Sequence, residues 1–580
     1  MTDDAPITRR CWWYLALAVV TFAAYATSID KPFLWDDEPF ILYETAHQSL
    51  ANIPKYFTRD QHYLYRPVRE VAYTLTYAAF GHSPVGYRTV AIAFHVLVTL
   101  LFASIVRRMG APPVMALPAG FLFGVHPVHA DRVANTTGAF DLVGMVFGFA
   151  ALRFLLLFRD TGKNRHLAIA APLLAVGLLG SEECVTIPVL YAAVCWLFDE
   201  RPPGETALAR VRRLALRRKL WIGVALVIAY IALRTHILGR VERVSGAEVP
   251  PLFDRLATTS VALWHGVAKL FAPFGLRPAY WDPVHRFTSP WTWIAAAGVV
   301  AVLVWLWRSR GKSSWPAMGA AWYLVAFIPF ANVIPIGTYF AERYLYAPLG
   351  GFAIAAAYLA TRPALWRQPA ARVLVGAALA LMVVMTLHRG YVWSEARRLW
   401  EDAYAKDDRA GLVLVNVATQ RRHADPNVDN CPLYRRGMAY APYGGPRYET
   451  LIGMGECRIA DKNLEEAEQF FRQAIAKTPA RFEGYQDLAQ LMAMTGRWNE
   501  AQAAAEDLLD REPDSLVGHY VMGYIFLRNG MEDEAKTALG RALASKQEFP
   551  QLREQATQWL AALERPAEDA PDAPPPTDAD

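Results

Sequence analysis

Between residues 12 and 388 the sequence returns repeatedly to apolar runs near bilayer-crossing length, about 17–25 residues as helix. In hydrocarbon every backbone N–H and C=O must be satisfied within the segment, so runs of this kind fold as helices. The pattern predicts about eleven spans, at 12–29, 88–106, 112–126, 140–158, 167–180, 184–198, 220–238, 291–307, 316–331, 344–361 and 373–388. Several are short and need flanking residues or protein surroundings to complete them. The rest of the chain is different, with apolar residues spaced as in amphipathic soluble helices. Only 19% of the 580 residues are charged and 54% are hydrophobic, which excludes an ordinary soluble domain of this length. The net charge of +5 is no sign of nucleic-acid binding, because much of the Lys and Arg sits in short connections between apolar runs.

Those connections orient the chain. With the N-terminus cytoplasmic, the inner loops hold Arg107 and Arg108, then Arg159, Lys163 and Arg165, then Arg201, Arg210, Arg212, Arg213, Arg217, Arg218 and Lys219. Further inner groups are Arg308, Arg310 and Lys312, then Arg362, Arg367 and Arg372. The short outer loops 127–139 and 332–343 hold one Arg each and 181–183 holds none, the asymmetry of the positive-inside rule. The two long outer stretches, 30–87 and 239–290, carry several basic residues against this trend. Residues 259–276 are apolar enough to span, but a crossing there would put Arg308 to Lys312 outside. They are therefore read as a re-entrant or interfacial helix, with Trp264 and Trp281 at headgroup depth. The odd span count places the C-terminal part outside, on the same side as loop 30–87. Arg9 and Arg10 precede the first run without a small-residue cleavage site, the pattern of a retained signal anchor.

Five cysteines are too few for a disulfide framework. Cys11, Cys184 and Cys195 lie in or beside apolar runs and read as small buried hydrophobes. Cys431 and Cys457 are read first as unpaired thiols; a bridge between them is the alternative if their part of the chain meets an oxidising compartment.

Beyond residue 388 a 34-residue period appears. Ala467, Ala501 and Ala535 keep it, as do Pro479 and Pro513. Gly455, Ala489 and Gly523 hold the small position where paired helices approach, and Gly496 and Gly530 mark turns. This is the tetratricopeptide (TPR) pattern, helix pairs that bury their apolar faces only by stacking into an α-solenoid. The expected organisation is all-α. A polytopic membrane domain, 1–388, carries the outer loop 30–87. Connecting helices with a degenerate repeat follow at 389–447, then TPR repeats at 448–565 and a disordered acidic, Pro-rich tail at 566–580. The solenoid groove offers a place for an extended peptide or partner helix.

Polar residues at or just outside membrane depth are costly and mark candidate sites. Four clusters stand out: Trp35-Asp36-Asp37-Glu38; Tyr65-Arg66-Pro67-Val68-Arg69; His126-Pro127-Val128-His129-Ala130-Asp131-Arg132; and Asn332 to Pro335, followed by Ala341-Glu342-Arg343-Tyr344-Leu345-Tyr346. All four fall on the outer side of the derived topology. Adjacent carboxylates raise one another's pKa and can provide a proton acceptor and its partner. His126, His129 and Asp131 could present three ligands to one metal ion; alternatively the histidines bond loop carbonyls or a phosphate.

Taken in order, these motifs resemble the transmembrane and TPR repeat-containing O-mannosyltransferases and their bacterial relatives, within the GT-C superfamily of glycosyltransferases. The resemblance runs from the first span through the repeats. It rests on the acidic pair, the Tyr-Arg-Pro loop, Phe123-Gly124-Val125-His126-Pro127-Val128-His129, Asn332-Val333-Ile334-Pro335 and Ala341 to Tyr346. It implies an inverting, metal-independent enzyme that takes a sugar, mannose in the named family, from a polyprenyl-phosphate carrier. It implies Asp36 as base and Asp37 as its partner. Arg343 is the first candidate for the donor phosphate, with Arg66, Arg132, His126 and His129 behind it, and Glu38, Asp131 and Glu342 in support. A planar guanidinium can grip phosphate oxygens in a bidentate manner.

The chain departs from the family pattern at two places. Glu182-Glu183 follow Ser181 where a basic residue is usual, and Gly86-Tyr87-Arg88 stand where a His is expected, with His95 retained inside the span. The expected acceptor is a protein hydroxyl, with a lipid-linked or surface glycan, or a non-catalytic TPR scaffold, as alternatives. The expected location is a bacterial plasma membrane with the repeats extracytoplasmic, the ER membrane being the alternative.

Overall fold

The computed structural model describes residues 7–42, 44–59, 64–216, 219–239, 249–281, 283–312, 314–425, 428–441, 445–479, 481–547 and 549–564. The expected tail, 566–580, and Arg217 and Arg218 lie outside them. The described secondary structure is helical throughout, with no β-strand among the described residues. Two compact units divide between Ala410 and Gly411.

In the first unit a helix occupies each predicted span. Five are long and apolar enough to cross a membrane by themselves: Pro84–Arg108, Thr136–Thr161, Trp221–Leu238, Pro290–Arg308 and Pro369–Val392. Shorter apolar helices include Trp12–Ser28, Pro113–Val125, Asn164–Gly180, Trp315–Phe330 and Leu349–Ala360. Ile187–Phe198 is a further 12-residue apolar helix. Prolines open many of them, including Pro84, Pro113, Pro290 and Pro369, because position N1 needs no N–H and proline's fixed φ already suits a helix.

The environment of these helices can be read from their surfaces. Pro290–Arg308 buries only Thr292 and exposes Trp291, Trp293, Ile294, Val300 and Leu303. An apolar surface of that extent is solvated by lipid rather than water, so this is a membrane protein. Inside the bundle the helices approach backbone to backbone. A Cβ at Gly144 would run into the Ser181 amide, and one at Gly351 into the Gly319 carbonyl.

Three sequence expectations need adjustment. The span predicted at 344–361 begins helically only at Leu349, because Glu342–Leu345 forms a 3₁₀ turn. Residues 259–276 contribute to one continuous helix, Leu252–Phe271, with no re-entrant turn within it. That helix buries Ala257, Thr258, Ala262, Gly266 and Leu270 and exposes Phe253, Leu256, Trp264 and Phe271. The outer stretch 30–87 is also more ordered than a loop: 3₁₀ turns at Thr45–Gln48 and Leu50–Phe57 lead to the helix Pro67–Phe80.

The second unit stacks helix pairs. Gly411–Ala424 with Cys431–Ala439 lead into Tyr448–Ala460 with Leu464–Lys477. Glu483–Met494 with Trp498–Arg511 and Leu516–Arg528 with Glu532–Ala544 complete the repeats, and Pro550–Leu563 caps them. The periodic Ala467, Ala501 and Ala535 are fully buried. Gly455 and Gly523 are small for a contact reason: a Cβ there would strike Phe471 and Leu539. Gly496 and Gly530 turn the chain at φ +72 and +71, in the left-handed region that glycine enters without cost. Cys431 and Cys457 form a disulfide, which corrects their reading as unpaired thiols. The spacing of two cysteines could not reveal that the leading pair stacks on the first repeat and brings them together.

Candidate functional site

The acidic pair splits into two roles by burial. Asp37 is buried; its Oδ1 accepts from the Thr137 amide and hydroxyl, both at 2.8 Å, and its Oδ2 from the Leu34 amide at 3.2 Å. Three donors on one carboxylate make it the pin that fastens the loop after the first helix to the Thr136–Phe140 turn. Burial raises its pKa, against the opposing pull of Arg88 and these donors. Arg88 itself donates to the Lys31, Pro32 and Ala134 carbonyls, so the departure from His at this position serves the same junction. Asp36 is half-buried and Glu38 exposed. Trp35, immediately before Asp36, sits at φ +51, a region that bulky L-residues avoid, and packs edge-on against Trp400 at 5.3 Å.

Arg343 lies in the field of Asp36. Burial alone would lower its pKa, but Asp131, then Tyr344 and Asp36, more than offset this and raise it. Asp131 Oδ2 accepts the Arg343 amide at 3.0 Å and lies 3.5 Å from Nη1. That second contact is at the outer limit of a hydrogen bond. The Arg343 side chain remains 25% exposed.

Beside Arg343, Glu342 is fully buried. Its Oε1 accepts from the Arg277 amide and from Tyr280 Oη, the latter at 2.6 Å, and its Oε2 is 4.0 Å from Arg389. Burial raises its pKa to about 7, with Arg389 opposing and Asp131 reinforcing. Asp36, Asp131, Glu342 and Arg343, three segments distant in sequence, thus share one electrostatic neighbourhood.

The other two arginines behave differently. Arg66 reaches Asp141 at 2.8 Å and Glu182 at 2.7 Å. Arg132 reaches Glu183 at 2.6 Å and Asp141 at 3.4 Å, and Arg69 reaches Glu70 at 2.7 Å and Asp141 at 3.4 Å. Glu70 also accepts from His47 at 2.7 Å. Here the cations are already neutralised by buried carboxylates. Arg66 and Arg132 therefore have less capacity for a phosphate than their sequence context promises, and Glu182-Glu183 stand as their counter-charges. Adjacent residues of one helical turn, Asp131 and Arg132, face the two different clusters.

The histidines act as staples. His126 Nε2 donates to the Leu270 carbonyl at 3.1 Å while Nδ1 accepts from the Val128 amide, and His129 Nε2 donates to the Tyr346 carbonyl at 3.2 Å. With Asp131 turned to Arg343, the three candidate ligands face different partners. The Asn332-Val333-Ile334-Pro335 motif is a turn: Asn332 at φ +51 bonds the Thr338 carbonyl and the Ile336 amide, and Arg255 caps the Asn332 and Val333 carbonyls.

Sequence reasoning missed Asp141, Glu70, Arg277, Tyr280 and Arg389. Asp141 carried a usable signal, a charge embedded in a run predicted to span, where an unpartnered ion is too costly to keep, and Arg389 directly follows such a run.

Fold and site together define a helical membrane protein with a charged cluster in its first unit and a TPR solenoid as its second. A tetratricopeptide repeat family model matches residues 458–522. The chain is homologous to the protein O-mannosyl-transferases. It is 24% identical over 371 residues to protein O-mannosyl-transferase F38B6.6 of Caenorhabditis elegans, covering 60% of this chain and 51% of that one. It is 22% identical over 602 residues to TMTC3 of Homo sapiens, covering 91% of this chain and 63% of that one. The chain thus spans less than two thirds of the length of either relative. Among solved structures, ArnT from Cupriavidus metallidurans in the apo state overlaps it loosely, with 15% identity, a TM-score of 0.38 and coverage of 84% of this chain and 81% of that one.

Proposed function

We propose that this protein transfers a sugar, mannose by the names of its relatives, from a polyprenyl-phosphate carrier to a protein hydroxyl on the extracytoplasmic face. The observation that carries the reading is a partly exposed guanidinium, Arg343, held by Asp131 and near enough to the half-buried Asp36 carboxylate to feel its charge. The acceptor oxygen attacks the anomeric carbon as the bond to the carrier phosphate breaks. Asp36 takes the acceptor's proton, and Arg343 stabilises the charge that the departing phosphate gathers. Such a displacement inverts the anomeric configuration, and as written it asks for no metal ion. Asp131 orients Arg343 through the backbone amide and the guanidinium together. Asp37, His126 and His129 hold the loops; Arg66 and Arg132 brace the neighbouring helices.

The Cys431–Cys457 bridge supports an oxidising surrounding for the repeats, which agrees with the loop charges. The TPR groove is the proposed route by which protein acceptors are presented.

The test is transfer from radiolabelled polyprenyl-phosphate mannose by purified protein in proteoliposomes, followed by separation of protein from lipid. Label in the protein fraction is expected. Label confined to lipid would move the acceptor to a lipid-linked glycan, and no transfer by the wild type with any polyprenyl-phosphate sugar would end the reading.

A further inference from the structure

One cavity of the first unit is lined by residues distant in sequence from those of the candidate site. It has a volume of about 700 Å³ and opens among the Leu142–Thr161, Asn164–Gly180, Ile187–Phe198 and Leu220–Leu238 helices, with Ala207–Ala215 beside them. These helix ends meet at one pole of the bundle: Lys219 Nζ donates to Asn164 Oδ1 at 2.6 Å, and Arg210 Nη2 donates to the Cys195 and Asp199 carbonyls. The inner-loop charges make this the cytoplasmic pole.

We propose that this cavity binds an anionic phospholipid. Its lining divides into two chemistries. Leu155, Phe158, Pro188 and Tyr191 make an apolar wall suited to an acyl chain, while Arg159, Arg213 and Lys219 supply cations. Lys219 Nζ commits one donor to Asn164 and rests 4.7 Å above the Phe158 ring, which holds the ammonium at the edge of the apolar wall. Arg213 binds Glu205 through Nε at 2.9 Å and Nη2 at 3.2 Å and also reaches the Glu200 carbonyl, yet remains 35% exposed. Arg159 pairs with Asp160 at 3.0 Å. Among the described residues, Lys219 is thus the cation of this lining without a carboxylate partner, and it carries the larger share of the proposed headgroup contact. Asp199 and Glu200 on the same lining would meet headgroup hydroxyls rather than phosphate.

A second observation points the same way. The Ala207–Ala215 helix, capped by the Thr206 hydroxyl and anchored by the buried Arg210, presents Arg212 and Arg213 together with exposed Leu208 and, just beyond its end, Leu216. A short helix that shows both arginines and uncovered leucines beside a membrane bundle lies in the lipid interface, where basic residues attract anionic headgroups. The membrane supplies such a ligand at high local concentration on this face.

The inference does not depend on sugar transfer. Its test is native mass spectrometry of the detergent-solubilised full chain titrated with phosphatidylglycerol, phosphatidylcholine or inorganic phosphate. Phosphatidylglycerol is expected to bind as a discrete adduct, in preference to phosphatidylcholine. Arg213→Gln with Lys219→Gln should weaken it about tenfold or more, since each basic residue near the headgroup contributes appreciably. Ala192→Phe, which fills the cavity from its lining, should weaken it while leaving both cations in place. Lys312→Gln, an inner-face cation outside the lining, should bind as the wild type does. Equal binding of phosphatidylcholine, full retention in the double variant or in Ala192→Phe, or equal occupancy by inorganic phosphate alone would overturn the proposal; the last outcome would leave a free-phosphate site.

Discussion

One guanidinium nitrogen of Arg66 lies 2.8 Å from each carboxylate oxygen of Asp141, and the Nε of the same Arg66 donates to Glu182 at 2.7 Å. Asp141 is shared, since Arg69 and Arg132 also reach it at 3.4 Å. A buried carboxylate among three arginines is hard to remove alone, because its loss leaves the cations facing one another in a poorly solvated place. Breaking one partner of a buried pair typically costs about 3–5 kcal/mol. Asp141→Ala is therefore expected to lower the thermal unfolding midpoint of the protein in nanodiscs sharply. Asp141→Ala combined with Arg66→Met should recover part of the loss. An additive double variant would mean that the pair is not coupled.

The two aspartates of the first outer loop should respond differently to one chemical change. Asp36→Asn keeps size and most hydrogen bonding but removes the base, so turnover is expected to fall by about 10²–10⁴-fold with the unfolding midpoint unchanged. Asp37→Asn turns an amide N–H toward one of three fixed donors. It should cost about 1–3 kcal/mol of stability and lower turnover only as far as the loop shifts. Transfer assays and unfolding curves on both variants check this. Wild-type turnover in Asp36→Asn would remove it as the base.

What the sequence made legible was whatever a local pattern carries. Apolar length announced the helices of the first unit, and the 34-residue period the solenoid, because each follows from solvent or from stacking of neighbours. Site motifs were visible for a similar reason, as polar islands beside apolar runs. Their partnerships were not. Arg66 and Glu182 stand 116 residues apart, and nothing near either says that they meet. Read alone, Arg66 and Arg132 look available for phosphate and Glu182-Glu183 look like a lost basic site; read together they neutralise each other. The left-handed backbone at Trp35 was equally hidden, since no tryptophan signals a positive φ.

Glu342 gives the protein a predictable pH response. Its folded pKa is raised to about 7 by burial, whereas an exposed glutamate titrates near 4.5. At pH below about 4.5 the group is protonated in both states and imposes no penalty. As pH rises from there to about 7 the unfolded chain releases the proton while the folded one retains it, so stability falls. Above about 7 the penalty is complete and constant. Glu342→Gln mimics the protonated form, and its unfolding midpoint should lose less than the wild type's between pH 5 and pH 8. Equal losses in both would show that Glu342 does not titrate in this window.

The Cys431–Cys457 bridge and the loop charges make one joint claim about sidedness, which labelling can break. Cys184 and Cys195 are buried and the paired cysteines cannot react, so a Cys11→Ala background gives a low signal from the native thiols. Pro203 and Ala503 are both exposed, the first among the inner-loop arginines and the second on a repeat helix. An impermeant maleimide on intact cells should label Ala503→Cys, and should label Pro203→Cys only after permeabilisation. Reductant added to the purified full chain should then destabilise the repeat unit. The bridge closes a loop with a sequence separation of 26. The chain-entropy model puts a constraint of that length at about 3–4 kcal/mol. Should Pro203→Cys label first, the repeats would face a reducing compartment. The bridge would then be absent in cells, and the orientation derived from Arg107, Arg159, Arg213 and Arg308 would be inverted.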